Sequence, residues 1–204
     1  MKYQNRTKNL AIKKDNYYII IDFDKTITAS NSLDSWMAVI DFNIYGEACK
    51  KEIQKLNETY APIELDYQIS KEKKEQYMIE WYQKSMDLLY QYGLTKTNLQ
   101  KSLQKETLLL REGAKEFFKN LNDSQIPVII LSAGIGNVIE EFLKQQEIYF
   151  NNIHIISNFI QFKGDNMQKF EGELLHSMNK TIEGKLPKNW QDKISKTKYA
   201  ILLR

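Results

Sequence analysis

The sequence predicts an α/β fold: a Rossmann-like parallel sheet whose first strand is followed by a long helical insert. Two observations carry this. Apolar, β-rich runs recur at "YYIIIDF" (17–23), "IPVIILS" (126–132), "NIHIIS" (152–157) and "KYAILL" (198–203), and runs apolar on both faces suit parallel strands covered on both sides. Helical patterns separate these runs, which implies right-handed crossovers between parallel strands.

Taken in order, residues 1–16 are polar and read as a loose lead-in, and Tyr17–Phe23 is the first strand. Over residues 32–105 the pattern is helical: Leu33, Trp36, Met37 and Ile40 follow helical spacing, as do Tyr77, Ile79, Trp81, Met86, Leu89 and Tyr90 within a long charged segment. This stretch has few glycines and one proline, Pro62. "REGAKEFFKNLNDSQ" and "IGNVIEEFLKQQ" read as helices on either side of the second strand. "NFIQFKGDNMQKFEGELL" alternates around Lys163-Gly164-Asp165-Asn166, as a β-hairpin does. "PKNWQDKIS" is a short helix with Pro187 near its start. The expected division is a core domain of residues 1–31 and 106–204 with a helical cap of residues 32–105.

Bulk properties narrow the function. The 204 residues carry a net charge of +3, small and scattered, which gives no case for nucleic-acid binding. Cys49 is the one cysteine, so neither an internal disulfide nor a zinc cluster is expected, in keeping with a reducing cytoplasm. No apolar run approaches the ~20 residues of a membrane span, and the first sixteen residues lack the apolar centre of a signal peptide. A cytoplasmic monomer without membrane or nucleic-acid partners is expected.

In parallel sheets ligands gather at the carboxyl ends of the strands, where "YYIIIDFDKTIT" places Asp22 and Asp24. An ionised aspartate there can attack phosphorus, its neighbour can carry a proton, and a carboxylate pair suits Mg²⁺. The same pair can instead cap a turn. "LSAGIG" offers Ser132, Ala133 and Gly134 after the second strand, either a phosphate cradle at a helix start or a tight turn. Lys180 in "LLHSMNK" can hold a phosphate or lie free at the surface. His154, inside the third strand, reads as structural, and His176 as a packing or surface residue rather than a catalytic one.

"DFDKTIT", "LSAGIG" and "HSMNK", in this order, resemble motifs one, two and three of the haloacid dehalogenase superfamily of phosphohydrolases. "TYAPIELD", "YMIEWYQKS", "IPVIILSAGIGNVIEE", "IISNFIQF" and "FEGELLHSMNK" more closely resemble the cytosolic 5'-nucleotidase III (pyrimidine 5'-nucleotidase) family, over about residues 17–203. The resemblance implies a haloacid dehalogenase-like core whose insert caps the site. It implies Mg²⁺-dependent hydrolysis of nucleoside 5'-monophosphates through an aspartyl phosphate. Asp22 would be the nucleophile and a Mg²⁺ ligand. Asp24 would join the metal through its carbonyl and act as acid, then base, its pKa raised by nearby negative charge. Ser132, Ala133 and Lys180 would hold the phosphoryl group, and Glu64 and Ser85 would face the nucleoside.

The family has a fourth motif, a Gly-Asp followed by another Asp, directly after the next strand. Here that strand is "YAILL", Arg204 follows, and the motif is not among the 204 residues. Asp165 reads as a hairpin tip and Asp192 as a helix residue, so neither substitutes. The core is therefore expected to be C-terminally incomplete. Two alternatives stand beside the nucleotidase: a phosphatase on another small phosphate ester, and a non-catalytic nucleotide- or phosphate-binding protein.

Overall fold

The structure is a computed structural model that describes residues 17–40, 42–104, 108–197 and 199–204. The lead-in expected over residues 1–16 and the domain boundary expected at residues 105 and 106 lie outside the described residues.

Four parallel strands form the central sheet: β1 (Tyr17–Ile21), β2 (Val128–Ile135), β3 (Ile153–Asn158) and β6 (Tyr199–Leu203), in the order β3-β2-β1-β6. In register, Ile21 sits opposite Ile130 on one side and Leu203 on the other. Side chains alternate between two apolar layers, as the pleat requires. Ile19, Ile21, Val128, Ile130, Ile153 and Ile155 face one layer with Phe118, Leu121, Ile139 and Phe142. Those four come from α5 (Ala114–Asp123) and α6 (Gly136–Gln145). Ile129, Leu131 and Ile156 face the other layer with Leu175, Leu186 and Trp190, the last from α7 (Lys188–Ile194). Burial on both faces explains why β1, β2 and β3 read as unbroken apolar runs; β6 reads the same way, yet its Tyr199 and Leu202 are exposed.

Between β1 and α5 lie four helices: α1 (Ser35–Ala38), α2 (Phe42–Leu65), α3 (Lys71–Gln91) and α4 (Lys96–Leu103). α2 is broken at Gly46, whose φ of 78° is left-handed and open to glycine without strain. The hairpin is β4 (Ile160–Lys163) and β5 (Asn166–Phe170), with Gly164 at its turn (φ 61°). Its tip grips the start of α4: the Thr97 N–H and hydroxyl both donate to Asp165 Oδ1, at 2.8 and 2.9 Å.

Several details differ from the sequence reading. β1 stops at Ile21, because the backbone turns sharply through Asp24 and Lys25 (φ 61°). β2 runs on through Ser132 to Ile135, with a register irregularity after Leu131. Of the apolar residues that the spacing picked out in α3, Leu89 is buried while Ile79 and Tyr90 are exposed, and Met78, which it did not pick out, is fully buried. Leu33 precedes α1 and is exposed. No described helix is long and apolar enough to cross a membrane.

Candidate active site

Beyond the carboxyl ends of β1 and β2 lies a cavity of about 250 Å³. All seven residues singled out from the sequence line it: Asp22, Asp24, Glu64, Ser85, Ser132, Ala133 and Lys180. Sequence reasoning missed Asp34, Trp36, Trp81, Tyr82 and Ser177, which line it too.

Asp22 is the first residue past β1, and its N–H is tied to the Leu203 carbonyl of β6 at 3.0 Å. Its Oδ1 accepts from the Phe23 N–H (2.8 Å) and its Oδ2 from Lys180 Nζ (2.7 Å). Residues 158 positions apart thus meet in an ion pair with both side chains about three-quarters covered. The turn after Asp22 is held from outside. Arg111 Nε donates to the Thr26 carbonyl at 2.6 Å, and its guanidinium also reaches the Lys25 carbonyl.

Asp24 points the opposite way, into the start of the helical insert. Ser35, the first residue of α1, donates its N–H to Asp24 Oδ1 and its hydroxyl to Oδ2, both at 2.8 Å. The Asp24 carboxyl is pushed up to about 6, first by burial, with lesser contributions from the charges of Asp34 and Asp22 and opposed by the Ser35 hydrogen bonds. The expected rise is therefore present. Its main cause is desolvation, and like charge is secondary, because the start of α1 packs against the group through Ser35.

The end of β2 supplies the adjoining wall. Ser132 is buried, and its Oγ accepts from the Gly134 N–H at 3.0 Å. The Ala133 carbonyl accepts from Trp36 Nε1 (3.0 Å) and Asn158 Nδ2 (2.9 Å), and the Gly134 carbonyl from the Ser157 hydroxyl (2.8 Å). These side chains hold the segment extended, so the small residues lie on an irregular strand end rather than at the start of α6. Gly134 has no room for a side chain, since a Cβ there would sit 2.0 Å from Ser35 Oγ and 3.0 Å from Asp24 Oδ2.

The far wall is aromatic and acidic. Trp36 stacks on Phe170 (5.8 Å, 21°) and meets Tyr82 edge-on (5.3 Å); Trp81 stacks on Tyr60 (6.0 Å, 14°). Burial and the carboxylates of Glu64, Asp24, Asp34 and Asp22 raise the Tyr82 phenol, so its hydroxyl stays protonated. Glu64 lies near the end of α2, with its carbonyl accepting from Lys74 Nζ at 2.8 Å. Its carboxylate has no cationic partner among the described residues. Ser85 donates its hydroxyl to the Trp81 carbonyl at 2.9 Å, leaving its oxygen to accept.

His176 is buried, which pushes its imidazole down toward the neutral form, and its Nδ1 accepts from the Met178 N–H (3.3 Å). His154 packs on Trp190 (5.2 Å). His154 keeps its structural role and His176 packs in the interior rather than at the surface, while Asp165 lies at the hairpin tip and Asp192 in α7 as read from the sequence.

Among the described residues no group of three His, Cys, Asp or Glu side chains is placed to hold an ion. The Asp22 carboxylate and Asp24 carbonyl are two hard oxygens, a set that fits Mg²⁺, an ion that keeps several waters and takes phosphate oxygens. The Asp24 carboxylate is committed to Ser35 instead.

The family model described as pyrimidine 5'-nucleotidase (UMPH-1) matches residues 15–204. The human 7-methylguanosine phosphate-specific 5'-nucleotidase is 36% identical over 172 residues, 81% of this chain and 57% of that protein. The Drosophila melanogaster protein of the same name is 34% identical over 168 residues, 79% of this chain and 53% of its own length. This chain thus spans little more than half the length of these relatives. A crystal structure of cytosolic 5'-nucleotidase IIIB bound to cytidine superposes with a TM-score of 0.74 at 29% identity, covering 92% of this chain and 65% of that one. A phosphoserine phosphatase, solved as a phospho-aspartyl intermediate analogue, shares the fold at a TM-score of 0.52 and 19% identity, covering 79% of this chain and 65% of that one.

Proposed function

The chain belongs to the pyrimidine 5'-nucleotidase (UMPH-1) family, with a haloacid dehalogenase-like fold, and from that premise we propose that it hydrolyses nucleoside 5'-monophosphates to nucleoside and orthophosphate. The observation that carries the proposal is the pairing of Asp22 with Lys180 at 2.7 Å beside Asp24, a carboxyl raised to about 6.

In the first step an Asp22 oxygen attacks phosphorus and the ester O–P bond breaks. The nucleoside oxygen leaves with a proton from Asp24, and the phosphoryl group stays on Asp22 as an acyl phosphate. In the second, Asp24 takes a proton from water as that water attacks the phosphoryl group, which frees orthophosphate and restores the Asp22 carboxylate. A pKa near 6 suits both directions, leaving about a tenth of Asp24 protonated at neutral pH. The Ser35 hydroxyl can donate to the carboxylate or accept from the acid, so it accommodates both forms. Lys180 and the Ser132–Ala133 edge would hold the phosphoryl oxygens. When bound at Asp22 and the Asp24 carbonyl, Mg²⁺ would supply the positive charge that lets a phosphate dianion approach these carboxylates.

Helices α1–α4 would act as the cap, with the base among Trp36, Trp81 and Tyr82 and near Glu64 and Ser85. Four carboxylates face one lysine in this cavity. Aromatic faces beside unneutralised carboxylates favour a base that carries positive charge. 7-Methylguanine is such a base, and the human relative's name refers to its nucleotide. The buried thiol of Cys49 and the cytosolic relative support a cytoplasmic location.

The test is phosphate release from CMP, UMP, AMP, GMP and 7-methyl-GMP, with Mg²⁺ and with a chelator, beside Asp22→Asn. Release that needs both Mg²⁺ and Asp22, strongest for 7-methyl-GMP, is expected. Orthophosphate binding without release would leave a binding protein, and release only from other phosphate esters would reassign the substrate.

A further inference from the structure

We propose that the Ser177 hydroxyl, buried in the ligand-free chain and held by no hydrogen bond, turns about χ1 into the cavity to hold the sugar of the bound nucleotide. Ser177 lies in the loop between the hairpin and α7. Almost every polar group around it is engaged. The Leu175 N–H donates to Asn158 Oδ1 (2.8 Å), and Asn158 Nδ2 donates to the Leu175 carbonyl (2.8 Å). The His176 N–H donates to Asn179 Oδ1 (2.7 Å), and Asn179 Nδ2 donates to the Leu174 carbonyl (2.9 Å). The loop is thereby pinned at both ends, and Lys180 is delivered to Asp22. The Ser177 oxygen, although buried, has no hydrogen-bond partner, and the residue lines the cavity.

A buried hydroxyl without a partner costs stability. A site tolerates that cost when a ligand repays it. The position within the loop indicates which part of the ligand. On one side of Ser177, Lys180 reaches the phosphoryl end of the cavity. On the other, the His176 ring meets Tyr82 of the aromatic wall at 6.3 Å. A nucleotide with its phosphate at Asp22 and its base among the rings has its sugar between the two, level with Ser177. This inference rests on the nucleotidase reading and adds a contact to it.

The test uses Ser177→Ala in the full chain with the two kinds of product, which bind without turnover. Calorimetric titration with cytidine, 7-methylguanosine and orthophosphate in Mg²⁺ is expected to show nucleoside affinity reduced about threefold to tenfold, with orthophosphate affinity unchanged. Without ligand, the Tm of the variant is expected to rise by a few degrees, since an unpaired buried hydroxyl has gone. Unchanged nucleoside affinity, an equal loss for orthophosphate, or a lower Tm would each overturn the assignment; the last would reveal an internal partner. If the unaltered chain binds orthophosphate but no nucleoside, the nucleotide reading itself fails and Ser177 falls with it. Nucleoside binding that the variant leaves untouched defeats the Ser177 assignment alone.

Discussion

The two walls of the cavity are built on different plans. The wall proposed to meet phosphate, here the phosphoryl wall, consists of strand ends: Asp22 and Asp24 follow β1, and Ser132 and Ala133 lie in the last part of β2. Each is fixed by short hydrogen bonds to backbone or to a neighbouring loop. The wall proposed to meet the nucleoside, here the nucleoside wall, consists of helix faces, with Trp36 from α1, Glu64 from α2 and Trp81, Tyr82 and Ser85 from α3, held mainly by ring packing. A strand end offers a few positions in a fixed frame, which suits chemistry that tolerates little displacement. Helix faces offer many exchangeable side chains, which suits selection among bases. Substitutions on the first wall should therefore cost turnover, and those on the second should redistribute it.

The largest effect expected is from Asp22→Asn. Removing the proposed nucleophile should lower phosphate release at least about 10³-fold for every nucleotide in the panel, whatever the base. A base-dependent loss would mean that the two walls are not separate in function. Gly134→Ala follows. Its methyl group would meet Ser35 Oγ at 2.0 Å, displacing the hydroxyl that orients Asp24. A fall in kcat of about 100-fold with KM little changed is expected, since misplacing a proton-transfer group by about 1 Å carries that order of cost. A change confined to KM would show that Ser35 serves binding instead.

These two predictions also show what the sequence could and could not disclose. Motif residues adjacent in sequence and anchored to strand ends were legible, because the end of a buried strand fixes where they point. The sheet, its two apolar layers and the hairpin turn at Gly164 were legible from periodicity and turn chemistry. Asp34 and Ser35 were not, since a four-residue helix leaves almost no periodic signal. The inward face of α3 was not legible either, for a related reason. Apolar residues lie all round that helix, and only packing against α2 and β5 decides that Met78 is inside and Ile79 outside. Ser177 leaves no pattern at all; it is distinguished by what its neighbours bond to.

A stability measurement probes the phosphoryl wall without turnover. The Asp24 carboxyl titrates near 6 in the folded chain and near 3.8 when free. The folded state therefore binds more protons than the unfolded state between these values, so stability falls as pH rises through that window and levels off above it. Asp24→Asn should flatten this slope in metal-free buffer and raise stability at neutral pH by at most about 3 kcal/mol. Thermal melts between pH 4 and 7.5 would show it. A slope that persists in the variant would assign the window to another group.

The smallest effect belongs to the nucleoside wall. Glu64 carries a carboxylate with no cationic partner among the described residues, at the edge of an aromatic cavity. If it recognises the base, Glu64→Gln keeps the shape and removes only the charge. A cationic base would then lose one charge-assisted contact, about 1.5–3 kcal/mol at most and less where water screens it. KM for 7-methyl-GMP should rise roughly threefold to thirtyfold, KM for CMP should change less than twofold, and kcat should stay put for both. Phenyl phosphate, which lacks a nucleobase to meet Glu64, should be hydrolysed as before. A kcat loss shared by all three would move Glu64 to the phosphoryl wall. The two-wall division would then fail at the residue where the carboxylate of one helix stands closest in kind to those at the strand end.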